Sequence, residues 1–175
     1  AATALGEAAG MVARSSYNRI FLIPENLAPE KKSVFNNYLK STNLIIKEMP
    51  LVDGRVNLDA AATLADDAAG IYLENPNYYG LIEYRKDEVK QLASSTDAML
   101  IIGIDPLLAA VTHPPSDYGA DIVIGDGWFG SPMNYGGIRL GLFACRREHI
   151  RQMPGRIIGA THDVDGKRAF CMHLQ

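Results

Sequence analysis

The sequence predicts an α/β fold, a three-layer α/β/α sandwich with a mostly parallel sheet. Short apolar runs typical of strands alternate with helix-like segments along the 175 residues. The strand-like runs are apolar throughout, as in AMLIIGI at 98–104. Continuous apolar strands are typical of parallel sheets that helices cover on both faces. Ligands in such sheets bind at the carboxyl ends of the strands, so the loops after the strands are the candidate functional segments.

Each predicted strand is a short apolar run that ends at a structure-breaking residue. RIFLI at 19–23 is closed by Pro24, and the run at 98–104 is closed by Asp105-Pro106. Asn75-Pro76-Asn77 breaks another run in the same way. The predicted strands are 19–23, 43–47, 71–74, 98–104, 121–124 and 140–145.

Helices are predicted between the strands from apolar spacing and from residues typical of helix starts. Pro29 and Glu30 favour a helix over 29–40, and Asn57 can cap a helix over 58–65. Two other helices are predicted over 87–95 and 146–153, and a short helical run over 107–111. A first helix is predicted through Leu5, Ala8, Ala9 and Val12. Asp53-Gly54 is predicted to form a turn.

Composition excludes several classes of function. The formal charge is −3, with 17 basic and 20 acidic residues, so the chain offers no polycation for nucleic acid. No apolar run approaches the roughly 20 residues that span a bilayer. Cys145 and Cys171 lie far apart and match no metal or redox spacing. These features indicate a cytoplasmic protein that does not bind nucleic acid or membranes.

Both ends of the chain are unusual for a whole protein. The sequence begins AATALGEAAG without Met, already at helical spacing, and it stops at AFCMHLQ, a strand-like run with no turn or pairing strand after it. We expect residues 1–175 to be one domain and a piece of a longer protein.

The string GDGWFG at 125–130 has the G-x-G-x-x-G spacing of dinucleotide-binding turns. That motif requires a helix to open at its third glycine, because the helix N-terminus carries the phosphate. Here Ser131-Pro132 and then Gly136-Gly137 follow, which favours a loop. A structural glycine loop is the preferred interpretation, although Gly127, Trp128, Phe129 and Tyr135 could also line a cofactor pocket.

Several motifs together resemble one family, the glycine dehydrogenase (decarboxylating) P-protein, and specifically its subunit 1 in organisms that divide the protein into two chains. The segments that carry the resemblance are ENPNYYGLIE, IIGIDPLLAAVTHPPSDYGADIVIGDG, SPMNYGGIRLGLFA and MPGRIIGATHDVDGKRAFCMHLQ. The resemblance implies the large domain of a fold type I pyridoxal-phosphate protein, with a seven-stranded sheet. It also implies that an N-terminal segment and a C-terminal small domain are absent from this piece.

The resemblance implies a role in the glycine cleavage system, where glycine is decarboxylated and its aminomethyl group passes to a lipoyl carrier protein. Such chemistry needs an electron sink, a lysine for the Schiff base and an acid at the pyridine nitrogen. Asp105 stands where the fold keeps that acid, and an Asp-Pro turn is the equally weighted alternative. No lysine occurs between Lys90 and Lys167, so the usual Schiff-base position after 121–124 is empty of lysine.

The missing lysine matches subunit 1, so we expect no cofactor on this chain and no catalytic residue in it. Pyridoxal phosphate is expected on a lysine-bearing subunit 2, in an assembly of two plus two chains. The candidates for a remnant pocket are Asn75, Asn77, Asp105, Gly127 and Tyr135.

Five further residues are candidates for a subunit interface or an anion site: Tyr78, Tyr79, Arg156, Lys167 and Arg168. A solvated charged loop is the alternative for the three basic residues. The four histidines show no ligand spacing, so no metal site is predicted. Two other functions stay open, a non-enzymatic scaffold on a decayed pyridoxal-phosphate fold and an active enzyme whose lysine is displaced.

Overall fold

A six-stranded sheet forms the centre of the protein in a computed structural model that describes residues 1–127 and 140–173. The strand order is β2-β1-β5-β6-β7-β8; neighbours pair in parallel except that β8 runs antiparallel to β7. The strands of this sheet are β1 (Ile20–Pro24), β2 (Ile45–Met49), β5 (Ala68–Asn75), β6 (Met99–Ile104), β7 (Ile122–Asp126) and β8 (Gly141–Cys145). The prediction of a mostly parallel α/β fold is therefore confirmed.

In the described part of the chain four α-helices cover the sheet, and short 3₁₀ helices lie in the connections. The α-helices are α1 (Ala2–Ser15), α2 (Pro29–Leu39), α3 (Leu58–Ala65) and α4 (Lys86–Ser94). The predicted cap of α3 is present, since the Ala60 amide donates to Asn57 Oδ1 at 3.1 Å. Among the described residues, no helix combines the length and apolarity that crossing a bilayer requires.

The core has two halves, one on each face of the sheet. Successive strand residues point to opposite faces, so Phe21 and Ile23 pack with α1 and α2, whereas Leu22 packs with the α3 and α4 side. The same alternation separates Tyr72 from Ile71 in β5. This two-sided burial is why the strands are apolar without interruption.

The number of strands and the type of one helix differ between the prediction and the described residues. Within the described residues the sheet has six strands, one fewer than the resemblance implies. The segment predicted as a helix over 146–153 is a 3₁₀ helix, Arg147–Gln152, with no buried residues. Without an apolar face to bury, this arginine-rich segment lacks the packing that stabilises a longer α-helix.

Two small hairpins lie outside the main sheet. The turn predicted at Asp53-Gly54 joins β3 (Leu51–Val52) to β4 (Arg55–Val56), and both turn residues have positive φ. The C-terminal run, noted for having no turn or pairing strand after it, is β10 (Arg168–His173), which pairs antiparallel with the preceding strand β9 (Ile157–His162). Sequence reasoning missed β9 because Gly159 and three polar or small neighbours dilute its apolar pattern.

Replacing Gly6 in α1 with alanine should destabilise the protein. A Cβ at Gly6 would lie 2.3 Å from Cγ of Tyr38 in α2, so the two helices would have to separate. We expect the loss of packing to outweigh the better helix propensity of alanine and to cost about 1–3 kcal/mol of unfolding free energy.

Gly10→Ala is the matched control in the same helix. A Cβ there meets Arg14 Nη1 at 3.5 Å, an ordinary contact, so this variant should be neutral or stabilised by up to about 1 kcal/mol. Urea unfolding of both variants checks the prediction, which fails if Gly6→Ala is as stable as Gly10→Ala.

Candidate functional site

A cavity of about 230 Å³ opens at the carboxyl edge of β5, β6 and β7. This is the edge where a parallel sheet of this kind binds its ligands. Residues from α2, from the ends of the three strands and from the loop after β5 line it: Lys31, Tyr72, Glu74, Pro76, Asn77, Tyr78, Gly103, Ile104, Asp105 and Asp126 among them. We take this cavity as the candidate site.

The floor of the cavity is a cluster of Tyr72, Glu74 and Lys31. Tyr72 and Glu74 are two residues apart in β5 and share a face, so the Tyr72 hydroxyl donates to Glu74 Oε1 at 2.8 Å. Lys31 of α2 forms an ion pair with the same carboxylate oxygen. Gly103 of β6 makes room for the phenol, because a Cβ there would lie 2.3 Å from the Tyr72 oxygen.

Burial raises the pKa of the Tyr72 hydroxyl well above its ordinary value, and the negative charge of Glu74 raises it further. The phenol therefore remains a neutral hydrogen-bond donor at physiological pH. It orients the Glu74 carboxylate and supplies no base.

The cavity has an acidic balance among its described side chains. Glu74, Asp105 and Asp126 contribute carboxylates, and Lys31 is the lysine that faces them. Asp105 is exposed, and its Oδ1 accepts a hydrogen bond from the Leu107 amide at 2.9 Å. The Asp-Pro turn is thus present, and Asp105 also lines the cavity.

Asn77, another predicted residue, lines the cavity but uses its amide to hold the loop after β5. Its Oδ1 accepts from the amides of Tyr79 and Leu81, at 3.0 and 3.1 Å. Its Nδ2 donates to the Gly54 carbonyl of the β3–β4 turn at 2.7 Å. Asn77 therefore fixes the wall of the cavity against the small hairpin.

Asn75 lies beneath that loop and is not among the residues that line the cavity. Its side chain is buried, accepts from the Glu83 amide at 3.1 Å and donates to Tyr118 Oη at 3.2 Å. The Tyr118 hydroxyl in turn donates to the Glu83 carbonyl. These bonds anchor both ends of the loop.

Glu83 and Arg85 form an ion pair at the far end of the same loop, with Nη2 and Oε2 2.7 Å apart. Burial acts to raise the pKa of the Glu83 carboxyl, but hydrogen bonds and charge from Arg85 outweigh it, so the pKa lies below its ordinary value. Arg85 also donates to the Val56 carbonyl at 3.0 Å, which ties the loop to β4.

This loop carries three exposed aromatic side chains, one of which, Tyr78, also lines the cavity. Tyr78, Tyr79 and Tyr84 are exposed, and we call them the tyrosine surface. The rings of Tyr78 and Tyr79 lie 6.1 Å apart, and the Arg55 guanidinium lies 5.0 Å over the Tyr84 ring. Tyrosine and arginine are enriched at the centres of protein interfaces.

The three basic candidates lie on the β9–β10 hairpin and do not line the cavity. Arg156 Nη1 lies 3.5 Å from the sulfur of Met172, and the Arg168 guanidinium lies 5.1 Å over the Phe170 ring. Lys167 is exposed in the turn. Unlike Asn77 and Asp105, these three residues are therefore not part of the cavity lining.

Of the two remaining pocket candidates, Gly127 and Tyr135, only Gly127 is among the described residues. The buried Gly127 amide donates to the Leu140 carbonyl at 2.6 Å, so this glycine closes the β7–β8 connection and is not among the cavity-lining residues. Tyr135, with Trp128 and Phe129, lies outside the described residues.

The charged and hydroxyl-bearing side chains of the cavity that were not named as site candidates are Lys31, Tyr72, Glu74 and Asp126. Glu74 carried a usable signal, because it is a charge at the carboxyl end of an otherwise apolar strand. Asp126 stood inside the glycine string and carried the same kind of signal. No sequence signal pointed to Lys31, since only the packing of α2 on the sheet brings this residue to β5.

The fold defines the class of the protein. Cystalysin of Treponema denticola, whose structure contains a pyridoxal 5′-phosphate cofactor, superposes with a TM-score of 0.60 at 12% identity, over 87% of this chain and 41% of that one. This likeness concerns the fold alone. The chain has the α/β architecture of fold type I pyridoxal-phosphate enzymes.

Closer relatives identify the family. All of residues 1–175 match the family described as glycine cleavage system P-protein. The chain is 44% identical to a Thermococcus kodakarensis protein named "Probable glycine dehydrogenase (decarboxylating) subunit 1", over 99% of this chain and 39% of that protein. It also superposes on a crystal structure of inhibitor-bound glycine decarboxylase (P-protein) with a TM-score of 0.89, at 33% identity, over 99% of this chain and 39% of that one. The chain therefore belongs to the P-protein family, and it spans about two fifths of the length of these relatives.

Pyridoxal phosphate does not fit the cavity that the described residues form. The volume of about 230 Å³ is below the roughly 300–1,000 Å³ of typical cofactor pockets. A phosphate would face three carboxylates, and Lys31 is already paired with Glu74. We therefore derive no step through this cofactor on this chain.

The Glu83–Arg85 pair generates a prediction about acid stability. The pKa of Glu83 is lower in the folded state, so its stabilisation is present above the ordinary pKa of 4.5 and is lost as the pH falls through the folded-state pKa. Glu83→Gln should cost about 1–2 kcal/mol of unfolding free energy at pH 7, and the difference from wild type should shrink as the pH falls below 4.5.

Glu7→Gln is the control, because Glu7 is an exposed carboxylate on α1. Urea unfolding at pH 7 and pH 3.5 measures all three proteins. Equal losses for both variants, or a Glu83→Gln loss that does not change with pH, would contradict the role assigned to this pair.

Proposed function

We propose that this chain is part of subunit 1 of a glycine cleavage system P-protein, a subunit that supports glycine decarboxylation without holding the cofactor. The observation that carries the proposal is the absence of any lysine between Lys90 and Lys167 in a member of this family. A Schiff base needs a lysine amine. The strand that would precede it, β7, ends at Asp126 and is followed by Gly127.

We propose residues 1–175 as one domain, a piece of the large domain of the whole subunit. The coverage of about 39% of the Thermococcus kodakarensis relative supports this assignment. An N-terminal segment and a C-terminal small domain would complete the subunit. A cytoplasmic location is part of the proposal, and the unpaired Cys145 and Cys171 support it.

The proposed partners are a lysine-bearing subunit 2, in an assembly of two plus two chains, and a lipoyl carrier protein that takes the aminomethyl group. Pyridoxal phosphate is proposed on subunit 2. The designation "subunit 1" of the Thermococcus kodakarensis relative supports a second subunit. The acidic balance of the cavity supports placing a phosphate-bearing cofactor elsewhere.

Co-expression tests the proposed division of labour. The full-length subunit that contains this chain is purified alone, and with a lysine-bearing subunit 2, and glycine–CO₂ exchange is measured with pyridoxal phosphate present. We expect exchange only from the pair. Exchange by subunit 1 alone would indicate an enzyme with a displaced lysine, and no exchange by a stably associated pair would favour a scaffold.

The tyrosine surface provides a prediction about association with subunit 2. Tyr78→Ala combined with Tyr79→Ala should weaken the complex at least tenfold, because exposed paired aromatic rings are typical anchors of interfaces. Calorimetry or analytical ultracentrifugation measures the dissociation constant.

Tyr17→Ala is the matched control, since Tyr17 is a fully exposed tyrosine that lies between α1 and β1. It should leave the dissociation constant unchanged. Equal effects of the control and the double variant would remove the tyrosine surface from the proposed interface.

A further inference from the structure

A second cavity lies at the opposite edge of the sheet from the candidate site. Its volume is about 400 Å³, and the start of β6, the residue before β7 and the segment after β8 line it. Because β8 runs antiparallel to β7, Cys145 pairs with Ile122, and the chain that follows β8 returns to the amino end of β7. This topology brings Glu148 and His149 beside Asp121.

The side chains of Asp121, Glu148 and His149 converge at this cavity. His149 Nε2 lies 3.9 Å from Asp121 Oδ1 and 3.8 Å from Glu148 Oε1. All three ligand atoms lie within 4.8 Å of one another. Both imidazole distances are too long for hydrogen bonds. An ion bound at about 2.0–2.2 Å would draw all three atoms closer together, and the exposed Glu148 side chain can make that adjustment.

The carboxylate of Asp121 is held in place by the backbone of β6. The Leu100 amide donates to Asp121 Oδ2 at 2.8 Å, which leaves Oδ1 directed at the other groups. Such a bond orients a ligand before an ion binds. Asp121 and His149 are both about one-fifth exposed, whereas Glu148 is exposed and free to adjust.

Arg146 is the competing group at this position. Its Nε lies 3.3 Å from Asp121 Oδ1, so an ion there has to displace that contact. The guanidinium has other partners to retain, since it donates to the carbonyls of Ala120 and Gly119 at 2.9 and 3.0 Å. The nearby positive charge should make binding weaker than in a dedicated zinc enzyme.

We propose that Asp121, Glu148 and His149 bind one Zn²⁺ ion, with water from the cavity as the remaining ligand. One imidazole nitrogen and two carboxylates suit zinc, whereas Mg²⁺ and Ca²⁺ favour sites made of oxygen ligands. The ion joins the start of β7 to the 3₁₀ helix that precedes the β9–β10 hairpin.

This site is independent of the proposed function, because it shares no residue with the cavity at the carboxyl edge. Linear spacing predicted no metal site in this chain. The spacing of Asp121 and His149 gives no motif, since the antiparallel return of β8 alone brings them together.

Calorimetric titration of ZnCl₂ into the full chain, in buffer free of chelators, tests the proposal. We expect one saturable site per chain. Glu148→Gln and His149→Ala should each weaken Zn²⁺ binding at least tenfold, and far-ultraviolet circular dichroism establishes that both variants are folded. Glu148→Gln changes an exposed side chain, so it remains informative if His149→Ala does not fold.

His113→Ala is the matched control, because His113 also lies near a carboxylate, 3.7 Å from Asp117, but belongs to no cluster of three. It should bind Zn²⁺ as wild type does. The proposal is overturned if wild type shows no saturable binding up to about 1 mM, if Glu148→Gln binds as wild type does, or if His113→Ala loses the ion as well.

Discussion

The burial of β5 and β6 on both faces is the constraint on which the rest of the structure depends. Ile71 and Tyr72 are fully buried on opposite sides, as are Leu100 and Ile101. At about 25 cal/mol per Å², apolar burial of this kind is the main term that offsets chain entropy. Because these two strands are parallel and adjacent, their carboxyl ends must meet at one edge. The loops that follow them then form the candidate site.

The side chains at that edge form an acidic cavity that is poorly suited to a phosphate group. A tyrosine that remains protonated, a carboxylate paired with Lys31 and two further acids occupy the cavity. The side-chain amides of Asn75 and Asn77 form hydrogen bonds that hold the loop after β5 in place. The geometry therefore favours a rigid wall that presents the tyrosine surface over a pocket that takes up a phosphate. This arrangement supports the proposal that the reaction is carried out on another chain.

Local signals predicted most of the fold and less of the site. The Asn57 cap and the Asp53-Gly54 turn follow from single residues, and both are present. The strand β9, which pairs with β10, was not predicted because its apolar pattern is weak. Of the site, Asn77 and Asp105 were predicted at the cavity, since they directly follow strands. Lys31 could not be found, because its contact with Glu74 depends on the packing of α2 on β5.

We propose that this chain supports glycine decarboxylation without binding pyridoxal phosphate covalently. The most direct measurement is borohydride reduction of the purified two-subunit assembly with pyridoxal phosphate, followed by peptide mass spectrometry. We expect a pyridoxyl adduct on a lysine of subunit 2 and no stoichiometric adduct on any lysine of residues 1–175. A stoichiometric adduct on Lys31, the lysine that lines the cavity, would contradict it.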